Sequence, residues 1–304
     1  MVKIIILQII VIGSSPILSI LFGVMFFFFL FTPLLCSFLI WVLPLIKGFK
    51  QYSILIVSHL YIPLFFGWFY FFFKICYLQY IFYLNLGKWV YCGSLIIDWE
   101  FKLDSLSVLM LGLVLTVSTS VHFFSIGYMK GDSNLIRFFS LLSLFSFFMF
   151  FLVVSDNFLV LFVGWEGIGI CSFLLISFWQ TRILASKSAL KAIILNRVGD
   201  SAFLAAIAFI FYLFKSLNFG IVFSLISFIL NEKFVFLFFS FYYIEVIAFF
   251  LFLAAVGKSA QLGLHGWLPE AMEGERKLIY IFLSFYKKQQ KQLNIYYRIS
   301  VSPA

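Results

Sequence analysis

Long apolar runs leave this chain one way to satisfy its backbone. Stretches near residues 17–46, 53–84, 103–126, 135–154, 157–179, 189–214 and 234–260 are each about 20 residues or longer, with few charges. Lipid offers no partner to a peptide N–H or C=O, so such runs must close their hydrogen bonds within themselves, as helices. With 64% of its 304 residues hydrophobic, the chain reads as an all-α polytopic membrane protein of about seven transmembrane helices. The first two runs are long enough to tilt or break. Residues 219–230 are apolar but too short to cross, which suggests an interfacial or re-entrant piece. Lys3 and the run after it imitate a signal peptide, but the apolar character continues past any cleavage site, so a first membrane segment is expected.

The net charge of +9 is distributed by side. With alternating spans, Lys47, Lys50, Lys130, Arg137, Arg182, Lys187 and the basic tail fall on one face. Lys88 and Lys102 lie on the other, among Asp98, Glu100, Asp104 and Asp156. The basic face is expected toward the cytoplasm or a mitochondrial matrix, with the N-terminus outside. No aromatic-interleaved basic patch suggests nucleic acid as a partner. Cys36, Cys76, Cys92 and Cys171 have no paired or metal-ligand spacing and read as small apolar residues. Gly164-x-x-Gly167-x-Gly169 lies inside an apolar span and does not read as a phosphate loop. The 46 phenylalanines suggest an AT-rich gene of organellar type, an expectation that balanced base composition would remove.

Ionisable residues inside the runs carry the functional signal. Glu166 stands in Leu161-Phe-Val-Gly-Trp-Glu-Gly-Ile-Gly-Ile-Cys171, and Lys258 in Leu253-Ala-Ala-Val-Gly-Lys-Ser-Ala-Gln-Leu262. A charge at the bilayer centre costs roughly 3 kcal/mol or more, so such residues face a protein interior or a watery cavity. Desolvation brings charged and neutral lysine close in energy, and a nearby carboxylate tips the balance; the two then titrate as a pair. The flanking glycines permit close helix packing or a local break. An inert buried ion pair is the alternative. Lys191, Arg197, Asp200, Glu245 and His122 also fall within the runs. Arg197 and Asp200, three apart on one helix, share a side and are spaced to pair with each other. Glu245, near a span entrance, reads as interfacial.

The stretch from about 85 to 274, some three-fifths of the chain, resembles subunit 5 of mitochondrial NADH:ubiquinone oxidoreductase, respiratory complex I. The resemblance is carried by Leu103-Asp-Ser-Leu-Ser107, Val121-His-Phe-Phe-Ser-Ile-Gly-Tyr-Met129, Asp156-Asn-Phe-Leu-Val-Leu-Phe-Val-Gly-Trp-Glu-Gly-Ile-Gly169, and Cys171-Ser-Phe-Leu-Leu-Ile176. It continues through Phe178-Trp-Gln-Thr-Arg182, Asn196-Arg-Val-Gly-Asp200, Gly257-Lys-Ser-Ala-Gln261 and Leu264-His-Gly-Trp-Leu-Pro-Glu-Ala-Met-Glu-Gly274. It implies an antiporter-like helix bundle without redox centres of its own, in the mitochondrial inner membrane. Such a subunit moves protons while the complex uses NADH and ubiquinone, and this chain is expected to bind no cofactor itself. Its partners would be other membrane subunits of the complex and the lipid bilayer. Carried over by position, Glu166 matches the functional glutamate of the family's fifth helix and Lys258 the lysine of its broken seventh helix. Arg197 and Asp200 match the element that modulates that pair. His265 falls in the family's His-x-Trp-Leu-Pro loop, with a structural or proton-conducting role.

The resemblance divides the chain into 1–84, matched by hydropathy only; 85–274, the first part of a proton-translocating domain; and a basic tail, 275–304. Gly266 and Glu270 depart mildly from the family pattern, which has Thr or Ser and Asp there. After Gly274 the family continues Pro-Thr-Pro-Val-Ser, into a second half of the fold that these residues lack. Three accounts of the tail are open: translated intron, a naturally split protein whose second half is a separate chain, or a decayed gene. Two functions compete with the complex I reading: a Na⁺/H⁺ antiporter subunit, and a non-transporting structural fragment.

Overall fold

The computed structural model describes residues 16–42, 61, 64–77, 81–129, 132, 134–180, 182–229, 232–236, 239–261 and 263–271. Within these, five helices are long and apolar enough to cross a membrane. They are α1 (Pro16–Val42, qualifying over Gly23–Val42), α3 (Ser105–Tyr128), α4 (Leu135–Val154), α5 (Phe158–Ile176) and α6 (Ile183–Phe214). A shorter apolar helix, α2 (Leu64–Cys76), ends in a π-helical turn over Phe73–Tyr77. After α6 come α7 (Phe219–Ile229), α8 (Tyr243–Lys258) and the five-residue α9 (Trp267–Ala271). The helical bundle expected of the sequence is therefore present, and α7 is the short non-crossing piece expected near 219–230.

Among the described residues the count of seven spans is not confirmed, and two antiparallel hairpins take parts of two expected runs. Strands β1 (Phe82–Cys92) and β2 (Leu95–Leu103) occupy the end of the expected second span and the whole connection to α3. Strands β3 (Lys233–Phe236) and β4 (Phe239–Tyr242) take the start of the expected seventh. Among the described residues of that seventh run 16 are helical, and they rise about 24 Å, short of the roughly 30 Å hydrocarbon core. Lys47, Lys50, Lys130 and the tail 275–304 lie outside the described residues.

Local sequence explains the element ends. Asp104 caps α3 by accepting from Ser107 N at 2.8 Å, while Ser107 Oγ accepts from Asp104 N, a reciprocal box. Asn157 caps α5 through Val160 N at 2.7 Å. Gly93, at φ 58°, supplies the left-handed residue of the β1–β2 turn. Close helix approach comes from missing side chains. A Cβ on Gly164 would stand 2.8 Å from the Leu152 backbone of α4, and one on Gly257 only 3.1 Å from Gly199 Cα of α6.

Acidic residues gather at one end, as the charge pattern predicts. Bridges Phe101↔Ser155 and Asn157↔Asn218 sew the β1–β2 hairpin, the α4–α5 connection and the α6–α7 turn together. Asn218 donates to Glu100 Oε2 at 2.8 Å, and Asn85 reaches both Asp98 and Glu100. Burial, opposed in part by Lys102 and reinforced by Glu100, pushes the Asp156 carboxyl up to about 6. Burial, with Asp98 beside it, raises Glu100 as well. A carboxyl raised in the folded chain contributes stability that is complete below its ordinary value of 3.8 and is lost as pH rises through about 6. Asp156→Asn is therefore expected to stabilise this junction at pH 7 by about 1–2 kcal/mol and to flatten its dependence between pH 4 and 6. Amide exchange of residues 98–104 across that range measures it; an unchanged pH profile in the variant would refute the assignment.

Candidate functional site

Helices α5, α6 and α8 bring four of the five expected site residues together. α8 runs antiparallel to α6, with the Tyr212 and Tyr243 rings paired at one end and Gly199 against Ala254 and Gly257 further along. Fifteen residues of α6 separate Gly199 from the helix end, about 22 Å, so α8 stops at Lys258 deep inside the bundle. A cation at a helix C-terminus lies against the negative end of the backbone dipole. The chain turns there, with Gln261 N bonded to Val256 O, and Trp267 Nε1 returning to the Gly257 carbonyl at 3.2 Å.

The pairing differs from the sequence expectation. Arg197 and Asp200 do not bond each other; each reaches a different neighbouring helix. Arg197 Nη1 donates to Glu166 Oε1 of α5 at 2.9 Å. Asp200 Oδ1 lies 3.9 Å from Lys258 Nζ of α8. Three residues of helix put two side chains about 60° apart, enough to serve two flanking helices rather than one another. Glu166 and Lys258 likewise form no direct ion pair; both are held by α6. The Lys258–Asp200 pair is the more buried, at 19% and 7% side-chain exposure, while Arg197 is 58% exposed.

Trp165, which the sequence reading passed over, joins the two pairs. Its indole Nε1 donates to Asp200 Oδ1 at 2.8 Å, and its carbonyl accepts from Lys258 Nζ at 3.2 Å. The ammonium also sits 5.4 Å from the centre of the Trp165 ring, within cation–π range. Trp165 precedes Glu166, so one peptide separates the lysine's carbonyl partner from the glutamate. Gly169 provides room: a Cβ there would meet Lys258 Nζ at 2.8 Å. An aromatic in an apolar span reads as packing, and only the carboxylate opposite it gives its N–H away.

The remaining candidates lie elsewhere. His265 is exposed in the α8–α9 loop, where its carbonyl accepts from Leu268 N, and it does not join the four charges. Lys191 of α6 pairs with Glu270 of α9, pinning that loop. Glu245 is exposed at the start of α8. His122 is buried beside Tyr61, with Nδ1 donating to Ser118 O at 2.8 Å and Nε2 facing Ser143 Oγ at 3.4 Å.

Two family models match the sequence. One, described as NADH-ubiquinone oxidoreductase (complex I), chain 5 N-terminus, matches residues 89–139. The other, NADH:quinone oxidoreductase/Mrp antiporter, TM, matches 155–288 and so runs past Gly274. Among curated relatives, NADH-ubiquinone oxidoreductase chain 5 of Acanthamoeba castellanii is 47% identical over 243 residues, 80% of this chain and 36% of the relative. The chain 5 proteins of Chondrus crispus and Rhizopus stolonifer are 48% and 50% identical over 62% and 63% of this chain, and 28% of each relative. The chain thus spans about a third of the length of the relatives it matches. Among solved structures, the Mrp complex from Dietzia sp. DQ12-45-1b superposes with a TM-score of 0.60 at 22% identity, over 84% of this chain and 25% of that one. The membrane-bound sulfane sulfur reductase, an archaeal respiratory membrane complex, superposes with a TM-score of 0.58 at 18% identity, over 80% and 35%. At these identities the two structures speak for the fold alone.

Proposed function

The chain belongs to the NADH-ubiquinone oxidoreductase chain 5 family, matching an N-terminal part of it, and on that premise we propose that it is a proton-translocating membrane subunit of respiratory complex I. It works in the mitochondrial inner membrane beside other membrane subunits, and its own residues carry protons and not electrons. The observation that carries this reading is the cross-paired set Glu166–Arg197 and Asp200–Lys258, held between α5, α6 and α8 with the second pair the more buried, and bridged by Trp165.

Such a set stores alternatives. Opposite charges about 4 Å apart gain about 4 kcal/mol at an effective dielectric of 20. Each 1.4 kcal/mol is a factor of ten, so exchanging partners changes the proton affinity of a buried site by up to about a thousandfold. When Arg197, the exposed member, leaves Glu166, the carboxylate is left to draw either a proton or the Lys258 ammonium. If the ammonium moves, Asp200 loses its counter-charge. If a proton arrives at Glu166 instead, Lys258 stays with Asp200. Alternation between these arrangements, driven from elsewhere in the complex, is the proposed charge switch. NADH and ubiquinone act on other subunits.

Glu166→Gln tests it. The amide keeps the shape and one acceptor for Arg197 but cannot take the charge. The complex is expected to assemble while proton uptake coupled to NADH oxidation falls about tenfold or more. Wild-type pumping in an assembled Gln variant would instead favour a structural fragment whose transport residues lie in another polypeptide. A Na⁺/H⁺ antiporter subunit is the second reading, since the matching family model covers Mrp antiporters too. Sodium flux in reconstituted membranes without NADH oxidation would decide for it.

A further inference from the structure

Asn196 is 6% exposed, and its side-chain oxygen is buried without a hydrogen-bond partner. Leaving a buried amide oxygen unsatisfied is costly, and in native interiors such groups find protein or ordered water. Asn196 is also the buried amide of a pocket between α5 and α6, with about 300 Å³ of empty space counted out to its open mouth. The pocket's other polar walls are Glu166, Ser172, Arg197 and Asp200. Two lining residues are exposed, Ile170 and Arg197, so the pocket opens beside them. Its enclosed part admits on the order of one water.

We propose that this pocket is a water-binding site through which protons reach Glu166, with Asn196 holding the water. The proposal rests on Glu166 being a proton carrier, and it adds the route. A water donating to Asn196 Oδ1 keeps one O–H for a carboxylate and two lone pairs for an N–H donor. Arg197 supplies such a donor, and Glu166 the carboxylate. That meets the two to four polar partners a buried water takes. An excess proton arriving on this water passes to Glu166. An O–H bond forms on the carboxyl as one breaks on the water, which returns to neutral. The negative charge on Glu166 is cancelled, and Arg197 loses its partner. Asn196 is uncharged, so it fixes the water without competing for the proton. Proton arrival at Glu166 then breaks one of the two ion pairs directly.

Two measurements test this in the assembled complex containing this chain. A high-resolution map of the wild-type complex is expected to show a water at about 2.7–3.2 Å from the Asn196 amide; a dry pocket, or one filled by a side chain, overturns the proposal. Asn196→Leu keeps the branching at Cγ, adds apolar bulk to the pocket and removes the amide. It is expected to slow proton pumping about tenfold and to raise its D2O isotope effect, whereas Asn196→Ser, which makes room for water, keeps pumping within about threefold of wild type. Unchanged pumping and isotope effect in the Leu variant overturn the site. If the Leu variant fails to assemble, the map and the Ser variant decide. Glu166→Gln run in parallel separates the two readings: an inactive Gln variant beside a fully active Leu variant sinks only the water site, and a fully active Gln variant sinks the charge switch beneath it.

Discussion

Replacing Lys258 with Met is expected to give the largest functional loss of any single change in this chain: proton uptake coupled to NADH oxidation falling at least about tenfold, toward the limit of detection. Met keeps the unbranched stem but deletes the ammonium, and with it the contacts of Nζ beside Gly169 and over the Trp165 ring. Asp200, 7% exposed, would then retain only the indole N–H of Trp165. An unpaired buried carboxylate costs about 3–5 kcal/mol, so Lys258→Met should also lower assembly. The two effects are separable. Asp200→Asn added to Lys258→Met removes the stranded charge while its amide oxygen still accepts from Trp165. The double variant should therefore recover assembly, read on native gels, without recovering pumping, read by a pH-sensitive dye in vesicles. Pumping at wild-type rate in either assembled variant would remove Lys258 from the mechanism.

How far this site was readable beforehand depends on what each signal measures. Burial of charge in an apolar run is a one-dimensional fact, so Glu166, Arg197, Asp200 and Lys258 stand out without any structure. Partner choice is three-dimensional. The spacing of Arg197 and Asp200 says they share a side of α6 but not that α5 and α8 flank that side, and this arrangement sends one side chain to each. Trp165 was hidden for the same reason, because its ring satisfies the apolar pattern and its N–H matters only opposite Asp200. His265 shows the converse: its motif position drew attention to it, and the loop leaves it exposed and apart from the four charges.

The hairpins mark the limit of hydropathy. Phe82, Tyr83 and Leu84 extend the second apolar run without a break, yet Phe82 and Leu84 are buried and Tyr83 is exposed, the alternation of a strand. Phe234–Phe236 and Phe239–Tyr242 are similarly apolar and similarly β. Aromatic and β-branched residues satisfy either a span or a strand, and only the turn residues separate them, as Gly93-Ser94 does between β1 and β2. The consequence is functional. Shortening the last run at its start, with α8 ending at Lys258, places that lysine inside the bundle instead of at a membrane surface.

Gly257→Val is expected to destabilise the α6–α8 contact directly. A Cβ at Gly257 would stand 3.1 Å from Gly199 Cα and 3.4 Å from Gly199 N, and one on Gly199 would stand 3.1 Å from the Ala254 carbonyl. These neighbours are backbone and cannot rotate away, so valine must push α8 from α6. Overpacking of this kind costs about 1–3 kcal/mol, and Gly257→Ala should cost less. Separation also lengthens the 3.9 Å contact between Lys258 and Asp200, so pumping per assembled complex should fall more steeply than assembly. Gly127→Ala is the matched control, because a Cβ there meets nothing within 4 Å. The expected order of thermal stability is Gly127→Ala near wild type, then Gly257→Ala, then Gly257→Val. A Gly257→Val complex that melted and pumped like wild type would show that the α6–α8 glycine contact does not set the spacing of the buried pair.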